Sequence, residues 1–345
     1  MASPYFQSGR CLIVAEVAQA HDGSLGTAHA FIDVAADCGA DAIKFQTHFA
    51  SEESTAREPW RVRFSKQDDS RYDYWRRMEF EPEHWRGLKQ HADERGIQFL
   101  SSPFSEKAVE LLDDLGMPAW KIASGELHNP FVMEPVLATG KPVILSSGMS
   151  PWSDLDRVVN QVRDSGVEFG VLQCTTAYPC PPERVGLNVM AQMRERYGCP
   201  VGLSDHSAQV YSGLAAVTQG AQFLEVHLTL SPGAFGPDVP ASLTPEQLAD
   251  LVRGARFIET MNANPVDKDA IASDFDQLRF TFGRGLVARD AMEAGTVLRR
   301  DLLAAKKPAD GIPAERLNEV LGKKLTRSLV ADEPIGDNDL IEADR

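Results

Sequence analysis

Two histidines stand at matching points of neighbouring stretches. His206 lies in "SDHS" (204–207) and His227 in "EVHLTL" (225–230), each close to where an apolar run gives out, in a chain with only 8 histidines. Two neutral imidazoles brought side by side can hold one divalent metal. No third protein ligand is evident, so water and substrate oxygens would complete the shell, as an open catalytic site requires. The bland alternative is two histidines hydrogen-bonded into loops. Other apolar runs end in polar groups too: Glu16, Lys44 with Gln46, Ser102, Lys121 with Ser124 and Glu126, Ser146 with Ser147, Thr176 with Tyr178, and Asp205 and Glu225 beside the histidines. Lys44 and Lys121 offer cationic donors, and Ser102, Ser124 and Ser146 offer hydroxyls. Together they suit a phosphate or a carboxylate. One such residue means little. Eight loaded ends are hard to explain by packing, because each buried polar group needs a partner or costs stability.

The elements that carry these groups follow from the period of the apolar residues. Continuous apolar runs, as expected of parallel strands covered on both faces, occur at 11–18, 42–48, 97–104, 119–126, 142–149, 169–179, 200–207 and 223–230. Stretches of helical spacing separate them, and "TPEQLADLVRGARFIETM" closes the series. A polar, arginine-rich insertion fills roughly 49–80. The count and length predict an α/β chain folded as a (β/α)8 TIM barrel, with the chemistry at the C-terminal strand ends. A doubly wound open sheet is the alternative. It would be expected to show a glycine-rich phosphate turn after an early strand, and "AHDGSLG" is a poor match.

The barrel domain is expected over 1–265, a polar linker over 266–283, and a small β-rich domain over 284–345. The last has brief strands and turns rich in Gly, Pro and Asp, too small for a large core of its own. The net charge of −15 argues against nucleic acid and anionic membranes as partners. No apolar run approaches membrane-spanning length. The opening "MASPYFQSGR" lacks the pattern of a signal peptide. Five scattered cysteines without a CxxC spacing point to reduced thiols and a cytoplasmic setting.

At these residues the sequence resembles the bacterial sialic acid (N-acetylneuraminate) synthases. The segments that carry the likeness are "IVAEVAQAHDGSLGTA", "GADAIKFQT", "SSPFSEKAVELLDDLGMPAWKIASGEL", "TGKPVILSSGMS", "CTTAYPCPPERVGLN", "VGLSDHS", "GAQFLEVHLTL" and "GPDVPASLTPEQL". The tail, in "GRGLVARDAMEAGTVLRRDLL" and "LGKKLTRSLVADEPI", resembles that family's C-terminal antifreeze-like domain. The resemblance implies condensation of phosphoenolpyruvate with an N-acetylmannosamine-type hexosamine, giving a nonulosonic acid and phosphate. It implies that Lys44, Ser102, Lys121, Ser124, Ser146 and Ser204 hold phosphoenolpyruvate, and that His206 and His227 hold manganese or magnesium. It places Glu126, Gln46, Tyr178 and Asp238 near the open-chain sugar, with Glu16 nearby and Glu126 as the carboxylate that stabilises positive charge at carbon 2. It further implies a homodimer in which the antifreeze-like domain of one chain caps the barrel of the other.

The departures from the family pattern gather on the sugar side. "AHDG" (20–23) stands for the usual "NHNG", Val226 for a common lysine, Val239 for a histidine and Thr176 for an asparagine. In the tail, "KKPA" replaces "KRPG", so Lys307 stands where the family has an arginine directed at the sugar's N-acyl group. Lysine cannot supply the bidentate fork of arginine. A legionaminic- or pseudaminic-type sugar is therefore the alternative within the same chemistry. A non-catalytic polysaccharide- or coat-associated protein is the alternative of another class. The intact set Lys44, Lys121, Glu126, His206 and His227 argues against it, since a binding module needs no metal beside an anion site.

Overall fold

The computed structural model describes residues 9–343. The chain divides into two compact units, the first ending at Asn264 and the second beginning at Pro265. The first is built on eight parallel strands: β1 (Leu12–Ala18), β2 (Ala42–Thr47), β3 (Gln98–Pro103), β4 (Trp120–Ile122), β5 (Val143–Ser146), β6 (Phe169–Cys174), β7 (Val201–Asp205) and β8 (Phe223–Leu228). Their order in the sheet is β3-β2-β1-β8-β7-β6-β5-β4, and a two-residue strand, β9 (Ser242–Leu243), adds to β8. This is the expected barrel. The register sets Glu16 opposite both Lys44 and His227, and Ser204 opposite Glu225.

The strands are almost wholly buried because helices cover them. The covering helices are α1 (Leu25–Asp37), α4 (Pro82–Arg95), α5 (Glu106–Asp114), α6 (Pro130–Ala138), α7 (Trp152–Asp164), α8 (Leu187–Tyr197), α9 (Val210–Thr218) and α10 (Pro245–Ala263), while α2 (Ala50–Glu53) and α3 (Arg71–Met78) belong to the insertion after β2. Their ends are written in the sequence. Ser24 caps α1 by accepting from the Thr27 amide, and Thr244 and Gln247 form a reciprocal capping box on α10 behind Pro245. Gly96 ends α4 in the left-handed conformation at φ 70°. Trp85, Trp120, Phe31, Phe45, Phe99 and Phe223 are among the largest fully buried side chains.

Several strands are shorter than their apolar runs. The run 119–126 gives only three residues of strand, because the chain turns at once. The Glu126 amide donates to the Ala123 carbonyl at 2.9 Å, and Asn129 N–H to the Glu126 carbonyl at 3.0 Å. Ser124 and Glu126 therefore ride on a turn beyond β4. Likewise β5 stops at Ser146 and β6 at Cys174.

The insertion between β2 and β4's predecessor β3 is more ordered than its polarity suggests. Ser70 and Asp73 cap α3 reciprocally, and α3 buries Tyr74, Trp75 and Met78 in an apolar cluster that takes in Trp60 and Phe64 and is separate from the main core. Arg77 fastens this piece to the loop after β1. It donates to the Asp22 carboxylate at 2.6 Å, to the Asp22 carbonyl at 3.0 Å and to Asp68 at 2.8 Å. Gly23, at φ 75°, lies so close that a Cβ there would stand 2.3 Å from the Arg77 carbonyl oxygen.

The second unit starts where a polar linker was expected, but folds into two short helices, α11 (Lys268–Ala272) and α12 (Asp276–Phe282). Two antiparallel pairs follow, β10 (Gly285–Ala288) with β11 (Leu303–Lys306), and β12 (Lys324–Leu325) with β13 (Leu340–Ile341), with α13 (Leu317–Val320) between them. Its core is small and includes Leu286, Leu298, Leu303, Ile312, Leu325 and Ile335. No helix among the described residues is long and apolar enough to cross a membrane.

The Arg77 tether gives a testable expectation. Arg77→Met and Gly23→Ala should each destabilise the insertion by about 1–3 kcal/mol, seen as a lower denaturation midpoint and faster proteolysis within 50–80. The guanidinium also holds the Asp68 carboxyl below the usual carboxylate range. The stability it contributes is complete above about pH 4 and is lost as pH falls through the depressed folded value. Arg77→Met should remove that acid-side loss, and an unchanged acid limb would contradict the tether.

Candidate functional site

At the C-terminal end of the barrel lies a cavity of about 700 Å³ to which every one of the eight strands contributes. Of the residues expected from sequence, Glu16, Lys44, Gln46, Ser102, Lys121, Ser124, Glu126, Ser146, Tyr178, Ser204, His206, His227 and Asp238 all line it. Lys307 lies in the second unit, just past β11, where its ammonium is 5.1 Å from the centroid of the Phe282 ring.

The floor is a buried ionic array. Lys44 Nζ is 2.7 Å from Glu16 and 3.7 Å from Glu225, and it donates to Ser102 Oγ at 3.3 Å. Lys121 Nζ reaches the other oxygen of Glu225 at 3.3 Å, and Ser204 Oγ donates to that same oxygen at 3.0 Å. Burial disfavours every charge here, yet the array compensates. Glu225 stays below the usual carboxylate range because Lys121 and Lys44 outweigh its burial. Lys44 is held above its ordinary value against burial by Glu16 and Glu225. Glu16 is the exception. Burial, with Glu225 adding to it, outweighs Lys44 and pushes it up to about 7. The floor thus sets one fixed carboxylate, Glu225, between the Lys44 and Lys121 side chains, beside one carboxyl, Glu16, poised near neutrality. Gly148 packs so tightly that a Cβ would stand 2.6 Å from both Ser124 Oγ and Thr176 Oγ1, so only glycine lets these two hydroxyls keep their places. The arrangement can receive a compact anion on the two lysines.

His206 and His227 do come together, with ring centroids 5.2 Å apart. His206 Nδ1 is 2.9 Å from the Thr175 carbonyl, so Nδ1 carries the proton and Nε2 keeps its lone pair. Burial, and for His206 the neighbouring His227, lowers both below their ordinary values, His206 to about 4. Both rings are neutral at pH 7. That donor set fits a divalent ion held by two imidazoles. Among the described residues no group of three His, Cys, Asp or Glu side chains is placed to enclose an ion, so an ion at this pair would keep positions open for water and substrate.

The outer wall adds Arg61, His48, Glu53 and Gln19, to which the sequence reading gave no role, to the expected Tyr178, Gln46, Glu126 and Asp238. Tyr178 stacks on His206 at 4.1 Å, and Arg61, from the insertion, covers Tyr178 at 4.4 Å while pairing with Asp238 at 2.6 Å. His48 is sandwiched between Trp75 and Phe104 at 4.3 and 4.5 Å. Its Nδ1 is 2.6 Å from Glu53, and its Nε2 lies 3.2 Å from both Gln19 and Gln46. Gln46 passes the chain on by donating to Glu16 at 2.8 Å. Burial, with Glu53 nearby, raises Glu126, although Asn129 donates to it at 2.7 Å. The signal for Glu225 was visible as one more polar strand end. His48 directly follows the run of β2. Arg61 and Glu53 sit in a segment with no period, and nothing local marks them.

A model of the NeuB family matches residues 31–267, and a SAF domain model matches residues 283–341. The chain is 34% identical over 333 residues to N,N'-diacetyllegionaminic acid synthase of Campylobacter jejuni, covering 94% of this chain and 99% of that one. It is 34% identical over 330 residues to human N-acetylneuraminate-9-phosphate synthase, covering 94% and 91%. Among solved structures, a sialic acid synthetase from Leptospira borgpetersenii in complex with citrate superposes with a TM-score of 0.68 at 28% identity, over 78% of this chain and 91% of that chain.

The floor predicts its own behaviour on substitution. Glu225→Gln leaves Lys121 without its carboxylate partner and should cost roughly 3–5 kcal/mol by chemical denaturation. Inorganic phosphate should then raise the melting temperature of the variant more than that of the parent, since the anion replaces the missing charge. Equal shifts would show that the lysines are not open to an anion.

Proposed function

Since this chain belongs to the NeuB family, we propose that it condenses phosphoenolpyruvate with the open-chain aldehyde of an N-acylated hexosamine, forming a nonulosonic acid and releasing phosphate. The observation that carries the proposal is the floor: two buried lysines with adjacent hydroxyls, next to two neutral histidines, in one cavity. Lys44 and Lys121 receive the phosphate and carboxylate of phosphoenolpyruvate, with Ser102, Ser124, Ser146 and Ser204 donating around them. Glu225 lies between the two lysines and pairs with each before the substrate arrives.

His206 and His227 would hold manganese or magnesium, which supplies Lewis-acid polarisation of the sugar's carbonyl oxygen when bound. Gln46, Tyr178 and Asp238 position the sugar so that its aldehyde carbon faces carbon 3 of phosphoenolpyruvate. Holding both substrates in one cleft supplies much of the rate. The new C–C bond leaves positive charge at carbon 2, which the Glu126 carboxylate stabilises. Water adds at carbon 2, and phosphate departs with cleavage of its bond to that carbon. Glu16, whose carboxyl is poised near neutrality against Lys44, is suited to hold or release a proton on this path.

The sugar is of the N-acetylmannosamine type or a legionaminic- or pseudaminic-type relative of it. Thr176 lies in the wall beside Tyr178, so one of the departures from the family pattern falls within the cavity. We extend the proposal to a homodimer in which the SAF domain of one chain covers the barrel of its partner. The exposed apolar side chains Phe275, Leu278, Phe280 and Phe282 ahead of that domain support it. All five cysteines are free thiols, which fits a reducing, cytoplasmic setting.

Phosphate release from phosphoenolpyruvate with a panel of N-acylhexosamines tests the reading directly. Chelation should abolish turnover and manganese restore it, and His206→Ala or His227→Ala should weaken metal binding with the fold intact. Lys44→Met or Lys121→Met should raise the phosphoenolpyruvate KM by about tenfold or more, since each removes a charge-assisted contact. Full activity in a verified metal-free preparation, or an unchanged phosphoenolpyruvate KM in both lysine variants, would refute these assignments.

A further inference from the structure

The wall of the cavity away from the floor holds a carboxylate oxygen with nothing in the protein to bind. Glu53 closes α2 in the insertion and lines the cavity, and its side chain is only 9% exposed. Oε1 is taken by His48 Nδ1 at 2.6 Å, whereas Oε2 is buried without a hydrogen-bond partner. A bare buried acceptor is costly, and a functional role is one of the few reasons for it to persist. His48 holds this carboxylate in place. Its ring cannot tilt between Trp75 and Phe104, and its far nitrogen is engaged by the amides of Gln19 and Gln46. Glu53 is therefore braced from behind, with one oxygen free.

The charge around it narrows the ligand. Beyond the floor, the cavity wall carries Glu52, Glu53, Glu58, Glu106, Glu126 and Asp238. Three cations face these six carboxylates: Arg61, paired with Asp238, Arg71, paired with Glu58 at 2.8 Å, and Lys107, over the Phe49 ring at 4.4 Å, so the acidic groups remain in excess. A phosphate group on the sugar would enter a protein-walled cleft with an excess of negative charge, where fields are focused. A neutral polyol brings the opposite complement, hydroxyl and N–H donors for carboxylate acceptors.

We propose that Glu53, braced by His48, is a specificity-determining residue whose Oε2 accepts a hydrogen bond from a hydroxyl or N–H of the sugar, and which with its neighbouring carboxylates selects an unphosphorylated amino sugar over a phosphosugar. This inference rests on the sugar-condensing reading above. It separates two kinds of relative that identity does not, since the chain is 34% identical both to a legionaminic acid synthase and to a 9-phosphate synthase.

The test uses the full chain with saturating phosphoenolpyruvate, and compares N-acetylmannosamine with its 6-phosphate in the parent, Glu53→Gln and His48→Phe. Sugar binding is read alongside by calorimetry. The parent should favour the unphosphorylated sugar by about 100-fold in kcat/KM. Glu53→Gln should raise the KM for that sugar about tenfold, leave the phosphoenolpyruvate KM within about twofold, and narrow the preference between the sugars. His48→Phe keeps the aromatic sandwich and removes only the brace, so it should move the same parameter in the same direction by less, and it carries the test if Glu53→Gln does not fold. A parent that turns over the phosphosugar preferentially, or variants whose sugar KM equals the parent's, would overturn the role of Glu53 while leaving the condensing activity standing. A parent that binds neither sugar and releases no phosphate with any would overturn both.

Discussion

One carboxylate lodged between two ammonium groups governs the rest of this molecule. Lys44 and Lys121 come from β2 and β4, either side of β3, and both are buried at the floor of one cavity, where mutual repulsion would push them apart or strip their protons. Glu225 gives one oxygen to each. It can do so only because β8 lies between β1 and β7 in the sheet and the register sets Glu225 level with Ser204. The ion array and the barrel therefore require each other. The parallel ladder aims the three side chains, and their mutual neutralisation lets so polar a floor survive under an apolar shell. The proposed anion site is thus built before any ligand arrives, and the reorganisation that binding would otherwise demand is small.

Above that floor the site is made differently. The floor comes from strands, with short-range geometry fixed by hydrogen-bonded neighbours. The outer wall comes from loops and from the insertion, held by aromatic stacking and by a few charged contacts. Arg61, Tyr178 and His206 form one such stack, and Trp75, His48 and Phe104 form another. The two parts meet at Gln46, which receives the His48 side of the wall and donates to Glu16 on the floor. Gln46 thus joins the wall to the carboxyl poised near neutrality through one hydrogen bond on each side.

The same division explains what could be read from the amino-acid sequence. Strand-end residues such as Lys44, Lys121 and His227 were legible because a parallel strand announces itself as a continuous apolar run and its polar end stands out. Ser124 and Glu126 were found, but on a strand that proves to end at Ile122, since an apolar run does not reveal where the ladder stops. Glu53 was not legible because it lies in a four-residue helix within a polar segment of no period, and Arg61 because its placement depends on contacts far along the chain. Arg77 pairs with Asp22 across 55 positions, and Arg61 with Asp238 across 177. No local period encodes such pairs. The helices α11 and α12 were missed for a related reason: they are short and bury no residue among the unit's core, so no apolar stripe marks them.

The insertion has a property that reaches past this one protein. Tyr74, Trp75 and Met78, with Trp60 and Phe64, make a cluster of their own apart from the barrel core. A segment that supplies its own packing can accumulate substitutions without loosening the scaffold beneath it. Its side chains that face the cavity, Glu53 and Arg61 among them, are then free to drift as a set while the strand-borne floor stays under constraint. Descendants of such a barrel could inherit the chemistry intact and acquire a new diet by rewriting one surface segment.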